Sequence, residues 1–192
     1  MTDHSDHAEN ERAGERVDVE VARRLFERRT VLLSGPLDDG AAARVAAELM
    51  ALDGEGDEPV ELVVNSPGGP LECAVPVLDV VDLLRGPVDA TCIGQAVGTA
   101  AFVVACATGR RRASPRARLG LRLAEVALEG SSSRIDGQVG AVVALRDDLV
   151  DRLARSTGRP VAELVAATER GPLLCAPEAV AAGLLDEVAE RR

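Results

Sequence analysis

The chain has 192 residues, a formal net charge of −10 and 46% hydrophobic residues, with no Trp, no Tyr and Phe only at positions 26 and 102. That length suits one domain with its own core, which must be built from closely packed Ala, Val and Leu. All 22 basic residues are Arg, scattered among 32 acids, which argues against nucleic acid and anionic membranes as partners. With no Lys, and His only at positions 4 and 7 of a polar leading segment, the folded part is denied Ser-His-Asp, Cys-His and Ser-Lys catalysis.

Residues 1–17 are acidic and aperiodic and are expected to form a flexible tail ahead of a domain at 18–192. No apolar run reaches the roughly 20 residues that span a bilayer, and the first 16 residues lack the apolar segment of a signal peptide. Cys73, Cys92, Cys106 and Cys175 show no C-x-x-C spacing and sit among apolar neighbours, so reduced, buried thiols are expected rather than metal or redox sites. Together these readings predict a cytoplasmic protein without metal or cofactor.

A short helix from Val19, with Leu25 and Phe26, leads to a first predicted strand at Thr30–Gly35. Asp38 and Asp39 cap a helix in which Val45, Leu49 and Leu52 recur at helical spacing, ending at Gly54-Glu55-Gly56. The unit then repeats. A strand at Val60–Asn65, a turn at Ser66–Gly69 and a helix at Leu71–Leu84 are followed by a strand at Val88–Ile93, a turn at Gly94-Gln95 and an apolar helix at Ala96–Ala107. Short strands follow at Arg111–Ala113 and Arg118–Leu123, and Gly130–Ser133 interrupts the pattern. The longest helix is predicted at Ile135–Ser156, ended by Thr157-Gly158. Pro160 and Pro177 each open a further helix, and Leu185–Val188 reads as a terminal strand. Repeated strand-turn-helix units predict an α/β fold with a mainly parallel sheet.

Functional groups in such folds collect where strands end and helices begin. Two turns qualify. Asn65-Ser66-Pro67-Gly68-Gly69 holds a glycine pair that lets backbone amides approach a ligand, as an oxyanion hole requires. The second runs Ile93-Gly94-Gln95-Ala96-Val97-Gly98-Thr99 into the buried helix. Either alone is also what an ordinary structural turn looks like.

In this order, and with Cys92-Ile93-Gly94-Gln95-Ala96, Pro115 and the strand after it, Thr157-Gly158-Arg159, Ala176-Pro177-Glu178-Ala179-Val180 and Gly183-Leu184-Leu185-Asp186, the chain from about Val31 to Val188 resembles the ClpP family, the proteolytic subunits of the Clp protease. The resemblance implies a ClpP/crotonase-like fold of stacked strand-strand-helix units, a protruding handle helix within about 124–157, and seven-membered rings paired around a chamber. It also implies a serine peptidase site, and there the chain departs. Gly98 stands at the nucleophile position, Arg122 at the general base and Gly171 at the orienting acid. Gly98 has no side chain to attack with, and Arg122 stays protonated near neutral pH. Ser66, Thr99, Ser131–Ser133 and Cys106 remain as hydroxyls and a thiol, each with an ordinary structural reading.

The backbone amides of Gly69 and Thr99 fall at the family's oxyanion-donor positions. On the strand before the Asn-Ser-Pro-Gly-Gly turn, Glu61 and Val63 replace the aromatics that line the family's docking pocket for its partner ATPase. Leu128–Ser133 replaces the Gly/Gln-rich handle segment. The expectation is a Clp protease subunit without peptidase activity, assembling with itself or with an active paralogue and docking a Clp ATPase weakly. Residual serine-type endopeptidase activity and a crotonase-like acyl-binding role are the alternatives.

Overall fold

The computed structural model describes residues 20–123 and 132–190. A helix at 20–26 (α1) precedes β1 (Thr30–Ser34), α2 (Asp39–Glu55), β2 (Val60–Ser66), α3 (Ala74–Leu83), β3 (Val88–Val97) and α4 (Thr99–Ala105). The chain continues through β4 (Arg111–Ala113), β5 (Arg118–Gly120), α5 (Ser132–Thr157), α6 (Val161–Arg170), β6 (Leu174–Cys175), α7 (Ala176–Ala181) and β7 (Glu187–Val188). The expected tail at 1–17 and the handle segment Leu128–Ser131 lie outside the described residues.

The main sheet has the order β1-β2-β3-β4-β7, with every pairing parallel. This is the α/β architecture that the repeated units predict. In β2, Val60, Leu62 and Val64 are buried while Glu61 and Val63 are half-buried. The first set packs into a core with Val31, Leu33, Val45, Leu49, Val77 and Phe102. All seven residues of α4 are buried, which a Thr-Ala-Ala-Phe-Val-Val-Ala segment allows because its small side chains let the helix approach the sheet closely.

Three expectations are corrected. The third strand does not end at Ile93, nor does its helix begin at Ala96: β3 runs through Gly94-Gln95 to Val97, and the helix starts only at Thr99. Gly94 adopts a φ of 69°, and a Cβ there would meet the Asn65 Oδ1 at 2.7 Å. The Asn65 Oδ1 accepts the Gln95 N–H (3.3 Å) where the β2–β3 register shifts. Glycine marks an irregularity inside a strand here, not its end. Beyond it, Gln95–Val97 pairs with β5, which pairs antiparallel with β6, a two-residue strand absent from the sequence reading. The second correction is that Leu71–Cys73 is a 3₁₀ turn and α3 begins at Ala74. Third, Cys175 is half-buried rather than buried, its N–H bonded to the Glu178 carboxylate (2.7 Å) at the start of α7.

Arginines tie the helices to the sheet. The Arg111 Nη1 lies within 3.3 Å of the carbonyl oxygens of Ala105, Ser156 and Gly183, so one guanidinium faces the C-terminal ends of α4 and α5. Its backbone N–H and Nε both donate to the Asp186 carboxylate (2.8 and 3.2 Å). Arg152 on α5 binds Asp82 of α3 and the Cys106 carbonyl.

The hydrogen bond from the Arg111 side chain holds the Asp186 carboxyl below its ordinary range, against the opposing effect of burial. Because the folded form binds its proton less readily than the unfolded chain, this contribution is complete above the ordinary Asp value of about 3.9 and is lost as pH falls through the lower folded value. Asp186→Asn is expected to lower stability at pH 7 by about 1 kcal/mol, a modest figure because the carboxylate is partly exposed. It should also flatten the stability loss below about pH 4. Denaturant unfolding of both proteins at pH 7 and pH 3 checks both statements.

Candidate functional site

The loop after β1, the turn after β2 and the end of β3 meet at one place. The Leu37 N–H donates to the Gly68 carbonyl (3.1 Å) and the Gly35 N–H to that of Asn65 (3.0 Å). Within the turn the Gly68 N–H donates to Ser66 Oγ (3.0 Å). Both glycines are demanded by space. A Cβ at Gly68 would lie 2.3 Å from the Val97 carbonyl oxygen, and one at Gly69 only 1.9 Å from that of Leu37.

Gly98 is the hinge between β3 and α4, with φ 54° and ψ −125°. Its N–H donates to the Gly120 carbonyl (2.7 Å), and its own carbonyl accepts from Ala101 (3.0 Å) and Phe102 (3.2 Å), starting the helix. This is a sharp strand-to-helix turn at positive φ, the backbone shape that lifts a nucleophile clear of a sheet in hydrolases. A Cβ at position 98 would point toward the next chain segment, with the Arg122 carbonyl oxygen at 3.2 Å and the Leu123 Cα at 3.8 Å.

That segment follows β5. Leu121 is buried, Arg122 exposed, and the Leu123 N–H donates to the Thr168 carbonyl of α6 (2.9 Å). Arg122 has no hydrogen bond or ion pair among the described residues. Gly171 ends α6, its N–H bonded to the Ala167 carbonyl (2.9 Å). Gly171, Leu121 and Leu184 help line a small cavity of about 170 Å³. The fold thus brings position 98 against the backbone of position 122, and sets position 171 on the same small cavity as the residue preceding 122.

The Gly69–Thr99 pair is also brought together, in an arrangement the sequence reading missed. The Gly69 N–H does not point into open space: it donates to Thr99 Oγ1 at 2.9 Å, and that hydroxyl lies 3.3 Å from the Gly69 carbonyl oxygen. Thr99 is buried. A Thr in the first turn of a helix signals local hydrogen bonding, but nothing in the sequence tells that its partner lies thirty positions away.

Glu61 and Val63 lie elsewhere, in an open groove of about 890 Å³ on the half-exposed face of the sheet, with Leu25, Ile93, Arg112 and Val188. Glu61 does not simply face solvent. It accepts from the Arg112 Nη2 (2.5 Å), and Arg112 also lies 3.7 Å from the carboxylate of the buried Asp89. The floor of the groove is therefore charged, an outcome the three successive arginines 110–112 did not disclose.

Burial pushes the Cys73 thiol up to about 11, helped by the Asp39 carboxylate, the Cys92 thiol up to about 12 and the Cys106 thiol up to about 11. None of the three supplies a thiolate near neutral pH. Among the described residues no group of three or more His, Cys, Asp and Glu side chains is placed to hold a metal ion, and no helix is long and apolar enough to cross a membrane.

Steric room separates the glycines. A Cβ at Gly171 would lie 2.3 Å from the Ala167 carbonyl oxygen, so a side chain there, as at Gly69, requires the main chain to move. At Gly98 the nearest atom, the Arg122 carbonyl oxygen, lies at 3.2 Å, so the cost is the positive φ together with a small shift of that carbonyl. Gly98→Ala is expected to cost about 1–2 kcal/mol, and Gly69→Ala and Gly171→Ala each at least about 1 kcal/mol more. Urea unfolding of the three variants gives the order directly.

A family model described as Clp protease matches residues 12–192. That span contains every element and turn described above, and the chain belongs to the Clp protease family.

Proposed function

We propose that the chain is a ClpP-like subunit with no peptidase activity of its own, serving as a structural or regulatory member of a ring-shaped protease assembly. The observation that carries this reading is the hinge at Gly98. Its backbone has the turn that presents a nucleophile, a Cβ there would need the Arg122 carbonyl to give by only a few tenths of an ångström, and there is no side chain. Arg122, whose backbone carbonyl faces the hinge while its residue is exposed, offers a guanidinium and not the proton acceptor that peptide hydrolysis needs. Gly171 has neither a carboxylate nor space for one without a shift of the main chain. The folded part holds no His or Lys to take over, and the thiols of Cys73, Cys92 and Cys106 are pushed away from ionisation. Acyl transfer without a base and an activated nucleophile loses the greater part of its rate enhancement.

The groove containing Glu61 and Val63 supports a second part of the reading, weakened docking of a partner ATPase. An apolar loop entering it would have to desolvate the Glu61–Arg112 pair, which costs more than the contact returns unless the loop brings a polar partner. On this reading the chain contributes walls to an assembly whose chemistry and ATPase contacts are supplied by an active paralogue.

Purified chain is expected to leave a small fluorogenic peptide uncleaved. An active paralogue mixed with it should show altered turnover per active subunit, with native mass spectrometry giving mixed-ring masses. Cleavage by the chain alone, at a rate that Gly98→Ser does not change, would sink the proposal.

A further inference from the structure

The amides of Gly69 and Thr99 stand at oxyanion-donor positions, yet the Gly69 N–H is already engaged by a side chain of the same protein. We infer that the Thr99 hydroxyl is a built-in occupant of this amide site, taking the place that the oxygen of a bound peptide carbonyl would fill. The inference rests on the preceding reading of the two amides, and it adds a lock on the site independent of positions 98, 122 and 171.

The geometry is reciprocal. Thr99 Oγ1 accepts the Gly69 N–H at 2.9 Å and lies close enough, at 3.3 Å, to donate to the Gly69 carbonyl. One hydroxyl thereby satisfies both polar groups of one residue, as a neighbouring strand would. Thr99 is 1% exposed and Gly69 half-buried, so an incoming carbonyl would have to displace a partly shielded hydrogen bond before gaining its own. Neither partner can readily withdraw. Gly69 is pinned against the Leu37 carbonyl, with no space for even a Cβ. Thr99 is the first residue of α4, directly after the fixed hinge. A β-branched side chain at that point has few rotamers to turn into.

It follows that rebuilding the attacking groups alone should not rebuild the site. An oxyanion donor is worth roughly 10²–10³ in rate when present and aimed, and here one of the two is withheld. The class of ligand that an opened site would take is a planar peptide carbonyl or the tetrahedral oxyanion derived from it.

The test uses the full chain and two readouts. The first is amide hydrogen exchange of the peptide covering 64–71, compared among the wild type, Thr99→Ser, which keeps the hydroxyl, and Thr99→Val, which replaces it with a methyl of similar volume. Exchange at Gly69 is expected to be roughly tenfold or more faster in Thr99→Val and unchanged in Thr99→Ser. Thr99→Ala substitutes if the valine variant does not fold. The second readout places the same changes in a Gly98→Ser/Arg122→His background and follows phosphonylation by a fluorophosphonate probe by intact mass. The valine form is expected to react at least roughly tenfold faster than the threonine form, and the serine form to match threonine. Unchanged exchange in Thr99→Val overturns the proposal. A rebuilt site that reacts no faster with valine than with threonine also overturns it. Neither result depends on whether the natural chain cleaves peptides, so the proposal and the assignment of inactivity fail separately.

Discussion

The turn at Gly98 is the constraint on which the rest of the site depends. At φ 54° the chain leaves β3 and enters α4 in a single residue, its N–H bonded to Gly120 and its carbonyl starting the helix. That geometry lets α4 drop straight into the core, where all seven of its residues are buried. It also fixes Thr99 against Gly69, and through Gly120 it anchors the segment carrying Arg122. A turn of this kind is strained for any residue with a side chain and nearly free for glycine. A side chain at this position would carry strain that the glycine here avoids.

Around that hinge several polar groups are tied into the fold. The Gly69 amide is engaged by Thr99 and the Asn65 side chain by the Gln95 N–H near the hinge, and the Glu61 carboxylate by Arg112 in the groove. Polar groups satisfied from within hold a fold together. The same economy governs the arginines. Arg29 donates to the Leu52 and Glu58 carbonyls, Arg111 faces two helix ends, and Arg152 bridges α3 and α5. With Arg as the only basic residue type, the planar guanidinium, able to reach several carbonyls at once, serves as the chain's main long-range clamp.

Much of the fold was legible in the sequence because its signals are local. Asp38 caps α2 as its position predicts, its side chain accepting the Ala41 N–H (2.8 Å), and the alternation in Val60–Ser66 matches its burial. What escaped depends on distant partners. The extension of β3 beyond Gly94 is sustained by a side chain on β2, and β6 has too few residues to show a period. Within the candidate site, the glycines at 98 and 171 could be noticed only against a family pattern, since a missing side chain leaves no compositional trace. Thr99 and Arg112 reveal their roles only when strands and helices far apart in the chain are set side by side.

The central claim is that the scaffold is kept while the attacking group is gone. Incubating the purified natural chain with excess fluorophosphonate and weighing the intact protein tests it most directly. The account predicts an unshifted mass after prolonged exposure, because the described residues include no His or Lys to activate a hydroxyl. A stoichiometric mass increase mapping to one Ser or Thr would contradict it.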